Sequence, residues 1–298
     1  MFVAAFIAAR NDGDTHSAGD VGTTVIEVGD GPIVVEATAE RVYVSNAKSA
    51  RVAAVDVASG EIAAESDPLQ GRPVGLVVTG SDLWVGSTEA QHVYRLDAQT
   101  LDVRQQVALG PAPAALAPSA DGIWVAVLNQ GVVALISEKG EVEARLRGVE
   151  FPSAVASDES AAYVADVASD TVTVIDVARR RYGESIEVGR GPVAIDVAGD
   201  ALWVALSLDE SVARVDADGR TVTTIRVGSS PGDVVVTDDF VWVTLPEEDV
   251  VVRIDPETGD VVGEPVRVGD NPQGIDVAPD GSVWVANQDD DTITRLDP

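Results

Sequence analysis

No cysteine occurs anywhere in the 298 residues, which excludes a disulfide framework, a thiolate nucleophile and any cysteine-ligated metal. The redox compartment is left open. Histidine is nearly as scarce, with His16 and His92 the only two. Basic residues are few: twenty Lys and Arg stand against fifty Asp and Glu, for a formal net charge of −30, and Lys48 and Lys139 are the only lysines. That balance excludes nucleic acid and an anionic membrane surface as partners, since both require a positive footprint. Its plain consequence is solubility.

Long hydrophobic runs are missing as well. The start, Met1 to Arg10, reads MFVAAFIAAR, too short to span a bilayer and without the basic leader and small-residue cleavage site of a signal peptide. Asn11 to Asp20, rich in Asp, Gly, Ser and His, reads as a solvated tether. Residues 1–22 are therefore expected to be the stub of a membrane anchor or a tether. A possible membrane tether through the N-terminus makes the protein extracytoplasmic, membrane-anchored or secreted, with a cytoplasmic location as the alternative.

What the chain does have is a period. Prolines fall at Pro32, Pro73, Pro113, Pro152, Pro192, Pro231 and Pro272, and an aromatic follows each at Tyr43, Trp84, Trp124, Tyr163, Trp203, Trp242 and Trp284. All five tryptophans share this register. Between turn signals the apolar residues alternate and β-branched residues dominate, so each unit resolves into four short strands, A to D. In the fifth unit, strand A runs from Pro192 through Val197, B is Ala201 to Ala205, C is Ser211 to Asp216 and D is Thr221 to Val227. Such a meander is one blade of an all-β, seven-bladed β-propeller with four-stranded antiparallel blades. The last unit stops after strand C, at Thr292 to Asp297, while Thr24 to Val28 is an unpaired strand before the first proline. The sequence predicts that this N-terminal strand closes the last blade, making residues 23–298 a single monomeric ring without an open edge.

Units such as Val42-Tyr43-Val44-Ser45-Asn46 and Leu83-Trp84-Val85, with strand C ending in Ile254-Asp255 or Leu296-Asp297, resemble the YVTN-repeat propellers, a repeat style shared by the virginiamycin B lyase-like propellers. The resemblance covers Val25 to Pro298. It implies the seven-bladed ring. It also implies, for the lyases, histidines with a glutamate and a divalent cation at the propeller mouth. This chain departs from that pattern, because His16 falls in the tether and His92 opens strand C of the second blade.

Other motifs reduce to architecture. Gly228-Ser229-Ser230-Pro231-Gly232 matches a nucleophile elbow, but a strand follows it and the segment is one of the repeated D-to-A crossings. Asp56, Asp97, Asp176, Asp216, Asp255 and Asp297 end strand C in six units, with Ser137 in the third, and are expected to cap the following turn. The strand-B aromatics are expected to pack between blades.

Three functional readings follow. The first is a non-enzymatic binding or sensor module that takes an unknown protein or small-molecule ligand on the face carrying the B-to-C loops and D-to-A crossings. Its candidate contact residues are Lys48, Arg51 and Arg72, a basic cluster in an acidic chain. No cofactor is expected, a possible divalent cation aside. The second is a metal-dependent lyase or hydrolase working with carboxylates, with Asp196 and Asp276 on the inner strands as channel ligands. The third is a structural spacer.

Overall fold

A computed structural model describes residues 21–199, 201–216, 219 and 221–298; of the expected anchor stub or tether, residues 1–22, those up to Asp20 lie outside the described residues, whereas Val21 packs on the core and Gly22 opens the first strand. Seven four-stranded antiparallel sheets follow one another around a ring. Blade 1 comprises Pro32–Ala37, Arg41–Asn46, Arg51–Asp56 and Ile62–Glu65, from the channel outward. In blade 7, Pro272–Val277, Val283–Asn287 and Thr292–Asp297 come from the C-terminal end, and Gly22–Glu27 is the outermost strand. That strand pairs antiparallel with Thr292–Asp297, Gly22 opposite Asp297 and Glu27 opposite Thr292. Closure by the N-terminal strand is therefore observed.

The repeated proline has a physical reason. It carries no N–H to give to a ladder, so it belongs at the first residue of a strand or at a bulge. Here it does both: Pro32, Pro73, Pro113, Pro152, Pro192 and Pro272 each open strand A, and in each the register with strand B slips immediately after it. The bulge bends the strand into the tightly packed wall of the channel. How tight that wall is can be read at Gly75, where an added Cβ would lie 1.7 Å from the Ala114 carbonyl oxygen of the next blade.

The core is divided among the blade junctions. The five tryptophans and Tyr43 leave their own sheets and lie on the aliphatic B and C strands of the following blade. Trp84 packs with Ile123, Val125 and Ile136, Trp203 with Val241, Val243 and Ile254, and Trp284 with Val42, Val44 and Val55 across the closure. All five tryptophans are at most 2 % exposed, so the expectation that they are wedges between blades holds. The ladder adds a regularity not foreseen from sequence. The strand-C residue opposite the tryptophan is an arginine in four blades, and Arg95, Arg214, Arg253 and Arg295 lie over Trp84, Trp203, Trp242 and Trp284 at 5.4–5.7 Å from the ring centroids. A guanidinium there is drawn to the π face while its stem covers the ring.

Two measurements check this account. Removing residues 22–28 uncovers strand C of blade 7 and the Val28 contact with Trp284 and Val42; chemical denaturation should register a loss of several kcal/mol or a failure to fold. Trp203→Ala should cost about 3–5 kcal/mol, and full stability in that variant would contradict the wedge role.

Candidate functional site

Four carboxylates on the inner strands form the first candidate. Asp196 Oδ2 accepts from Val236 N–H at 2.8 Å, Asp233 Oδ2 from Ile275 N–H at 3.1 Å, Asp276 Oδ2 from Ala37 N–H at 2.7 Å and Glu36 Oε1 from Val78 N–H at 2.9 Å. Each bond crosses to the next blade, so together they link blades 5, 6, 7, 1 and 2. The aspartates use the other oxygen on the N–H of their own following residue, Val197, Val234 and Val277, each at 2.8 Å. Burial pushes all four upward, and mutual repulsion adds to this for three of them, from Asp276 on Glu36, from Asp196 and Asp276 on Asp233, and from Asp196 on Asp276. Asp233 reaches about 7. Asp196 and Asp276, the expected channel ligands, are thus interblade fasteners. Glu36 stands in their register, four residues after its proline, and Asp233 two residues after; both were passed over in the sequence.

The acids of the loop face are also committed. Asp291 Oδ1 accepts from Gly31 N–H at 2.9 Å, Asp249 Oδ1 from Asn271 N–H at 3.1 Å and Asp170 Oδ1 from Gly191 N–H at 2.9 Å. All three sit in the left-handed region, with φ of 57–59°, and each fastens a D-to-A crossing. At the opposite face the strand-C carboxylates cap their turns as expected, Asp97 accepting from Gln99 and Thr100 and Asp255 from Glu257 and Thr258.

The three basic candidates turn toward different neighbours. Lys48 Nζ reaches blade 7, 3.4 Å from Asp289 Oδ1. Arg51 turns to its own outer strand, 2.5 Å from the Ser66 carbonyl oxygen and 3.3 Å from Glu65. Arg72 is exposed and has no ion pair among the described residues. His92 is half-buried, its ring edge-on to Tyr94 at 4.5 Å, with Nε2 buried and unpartnered; burial lowers its pKa. Among the described residues no group of three or more His, Asp or Glu is placed to hold a metal ion. The donor set therefore does not fit the histidine and glutamate cation site that the family resemblance implies.

The feature that stands out lies on the face of the A-to-B and C-to-D hairpins, between blades 4 and 5. Blade 4 carries Tyr163 where five blades have tryptophan, and Val174 is opposite it where four have arginine. Both pack against the core of the blade 4–5 junction but leave its outer part open. Tyr163 stays half-buried and turns back to its own blade, donating to Asp158 Oδ2 at 2.9 Å. The result is a cavity of about 610 Å³ floored by Val174, Ile186, Val197, Leu202 and Val215 and edged by Asp158, Glu159, Glu184 and Asp216. Blade 1 also has a tyrosine and keeps about 540 Å³ open at its junction, but there the gap is spanned by hydrogen bonds: Tyr43 Oη donates to the Ala98 carbonyl at 2.9 Å and Arg41 to the Ala98 and Gln99 carbonyls at 3.1 and 2.6 Å. The strand position of Arg41, opposite Asp56, is held in blade 4 by Ala161, opposite Asp176. The tyrosine was legible in the sequence as a variant of the repeat; the missing arginine could have been found by aligning strand C.

Comparison with known proteins follows this geometry. The family model described as outer membrane protein assembly factor BamB matches residues 8–107, ending within blade 2. No curated protein matches the chain. Among solved structures, a streptogramin B lyase superposes with a TM-score of 0.80 at 18 % identity, covering 93 % of this chain and 97 % of that one. Virginiamycin B lyase from Staphylococcus aureus does so at 0.81 and 17 %, covering 94 % and 100 %, and the Kuenenia stuttgartiensis hydrazine synthase at 0.80 and 17 %, covering 95 % and 98 %. The chain thus has the seven-bladed ring of the virginiamycin B lyase-like propellers. One expectation is corrected: the scarcity of histidine and cysteine pointed to a protein that is not an enzyme, yet the same ring carries a lyase in two of these neighbours. A short inventory of catalytic side chains is no argument against catalysis on this fold. No helix among the described residues is long and apolar enough to cross a membrane.

The inner carboxylates yield a pH prediction. A folded-state pKa raised above the ordinary carboxylate value means that folding favours the protonated form. The stabilisation is then fully present below about pH 4 and lost as pH rises through the folded value, about 7 for Asp233. The melting temperature should fall by several degrees between pH 5 and pH 8. Asp233→Asn, although less stable because its amide cannot accept both N–H bonds, should show a shallower fall; an unchanged slope would contradict the assignment.

Proposed function

We propose that the ring is a recognition propeller whose ligand site is the groove between blades 4 and 5 on the hairpin face. One observation carries the reading: this junction lacks both members of the tryptophan and arginine pair and any bridge in their place, and keeps about 610 Å³ open. A cavity of that size, apolar at the floor with a few polar groups at the edge, suits a small molecule. The surrounding blades are stiff and fastened to each other, which holds the groove open at little entropic cost on binding. Ligand capture of this kind serves a sensor and an enzyme alike.

The likeness of residues 8–107 to the BamB model, together with the apolar start of the chain, supports a place outside the cytoplasm and close to a membrane. Arg72, exposed and without an ion pair among the described residues, favours a second surface on the loop face where an acidic protein partner would dock, although Lys48 and Arg51 are engaged with Asp289 and Glu65. Arg72→Glu should weaken that docking and leave groove binding untouched.

The groove can be closed with the protein's own parts. Tyr163 and Val174 stand opposite each other at the strand positions that Trp284 and Arg295 hold in blade 7. Tyr163→Trp with Val174→Arg should therefore rebuild the ordinary junction at equal or slightly higher stability. A small-molecule screen by thermal shift should find compounds that stabilise the natural protein and not this variant. Equal stabilisation of both would place the ligand site elsewhere.

A further inference from the structure

We infer that the blade 4–5 groove takes a small organic cation, an ammonium carried on an apolar body. This rests on the groove being the ligand site, and goes further by naming what enters it. The floor is hydrocarbon: Val174 on blade 4, Leu202 and Val215 on blade 5. It has an affinity for an alkyl or aryl group and nothing with which to orient one. Orientation comes from the edge, where every charged residue that lines the cavity among those described is acidic.

The four acids differ in how far they are already engaged. Asp158 accepts from the Ser160 N–H and hydroxyl, the Ala161 N–H and the Tyr163 hydroxyl at 2.6–2.9 Å. Burial alone would raise its pKa, but these bonds hold it below the ordinary carboxylate value, so it is a fixed negative charge. Asp216 is 3.6 Å from Arg214. Glu159 and Glu184 have no cationic partner among the described residues. Tyr163 presents an aromatic ring beside this charge, and its hydroxyl proton is held firmly, with the pKa pushed up to about 12 by burial and by the bond to Asp158. It does not compete as an anion. An aromatic ring, a hydrocarbon floor and two carboxylates without a cationic partner among the described residues are complementary to an ammonium with an apolar tail. An anion would be repelled, and a neutral polar molecule would gain nothing from the edge.

At about 610 Å³ the cavity holds such a molecule whole, which is why a free small molecule, and not the side chain of a docking protein, is the occupant. Blade 1 supplies the contrast within the same ring. There the corresponding junction contains Arg41 and Arg104, with Arg104 paired to Asp82 and Asp97. About 540 Å³ stays open there too, but its charge is balanced.

Three matched probes test the inference on the intact chain: 2-phenylethylammonium, 2-phenylethanol and phenylacetate, followed by the backbone amide signals of Val174, Ala201 and Leu202. The ammonium should move these signals saturably and bind about tenfold more tightly than the alcohol at low salt. Phenylacetate should not bind. In Glu159→Gln/Glu184→Gln the advantage of ammonium over alcohol should shrink several-fold, with alcohol binding unchanged; the two positions are exposed, so the fold is not at stake. If alcohol and ammonium bind the natural protein equally, or if the double variant keeps the ammonium preference, the cation inference falls while the groove stands. If no probe moves the groove signals, the groove itself is not the ligand site.

Discussion

Everything in this molecule depends on each blade finding the next one. A four-stranded sheet of this length buries one face only if something lies on it, and here the cover is always the following blade, with a strand-B aromatic as the wedge. Such an arrangement is stable only when it closes, because an open series would leave one naked sheet face and one unpaired edge. The strand Gly22–Glu27 on Thr292–Asp297 removes the edge. The contact of Trp284 with Val42 and Val44 removes the naked face.

Part of the acidity in this chain is structural, and that part is arranged in tiers. Carboxylates at the ends of strand C cap turns, those in the B-to-C loops hold the crossings, and Glu36, Asp196, Asp233 and Asp276 tie neighbouring inner strands together. In each tier the carboxylate meets backbone N–H groups that curvature has left without a carbonyl partner. Only the innermost tier is strained electrostatically, since burial drives its members toward protonation and repulsion adds to this for Glu36, Asp233 and Asp276.

Repetition also makes departures informative. Where seven junctions obey one packing rule, the place that breaks it without a substitute is free of the architectural constraint, and can be used for something else. Blade 3 breaks the rule mildly, with Leu135 opposite Trp124, and its junction is filled. Blade 1 breaks it and is bridged by Arg41 and Tyr43. Blade 4 breaks it with neither arginine nor bridge among the described residues, and the opening lies on the face opposite the B-to-C loops.

The sequence by itself determined the ring: the proline and aromatic register, the alternation of strands, the orphan strand at the start and the truncated last unit are all local signals, legible because strand period and turn chemistry act over a few residues. It also showed that the tryptophans were wedges and the strand-C aspartates turn caps, since each recurs in every blade or nearly so. The tertiary structure alone decided the roles that depend on which blade faces which. Asp276 and Ala37 are 239 positions apart, and nothing in either segment announces the bond between them. The separation of Lys48 from Arg51 turned on a neighbour in blade 7, and the groove on what Tyr163, Val174 and Ala161 fail to do together. Absence of filling is a property of three-dimensional packing, where volume is either occupied or not, and no single residue in the chain encodes it.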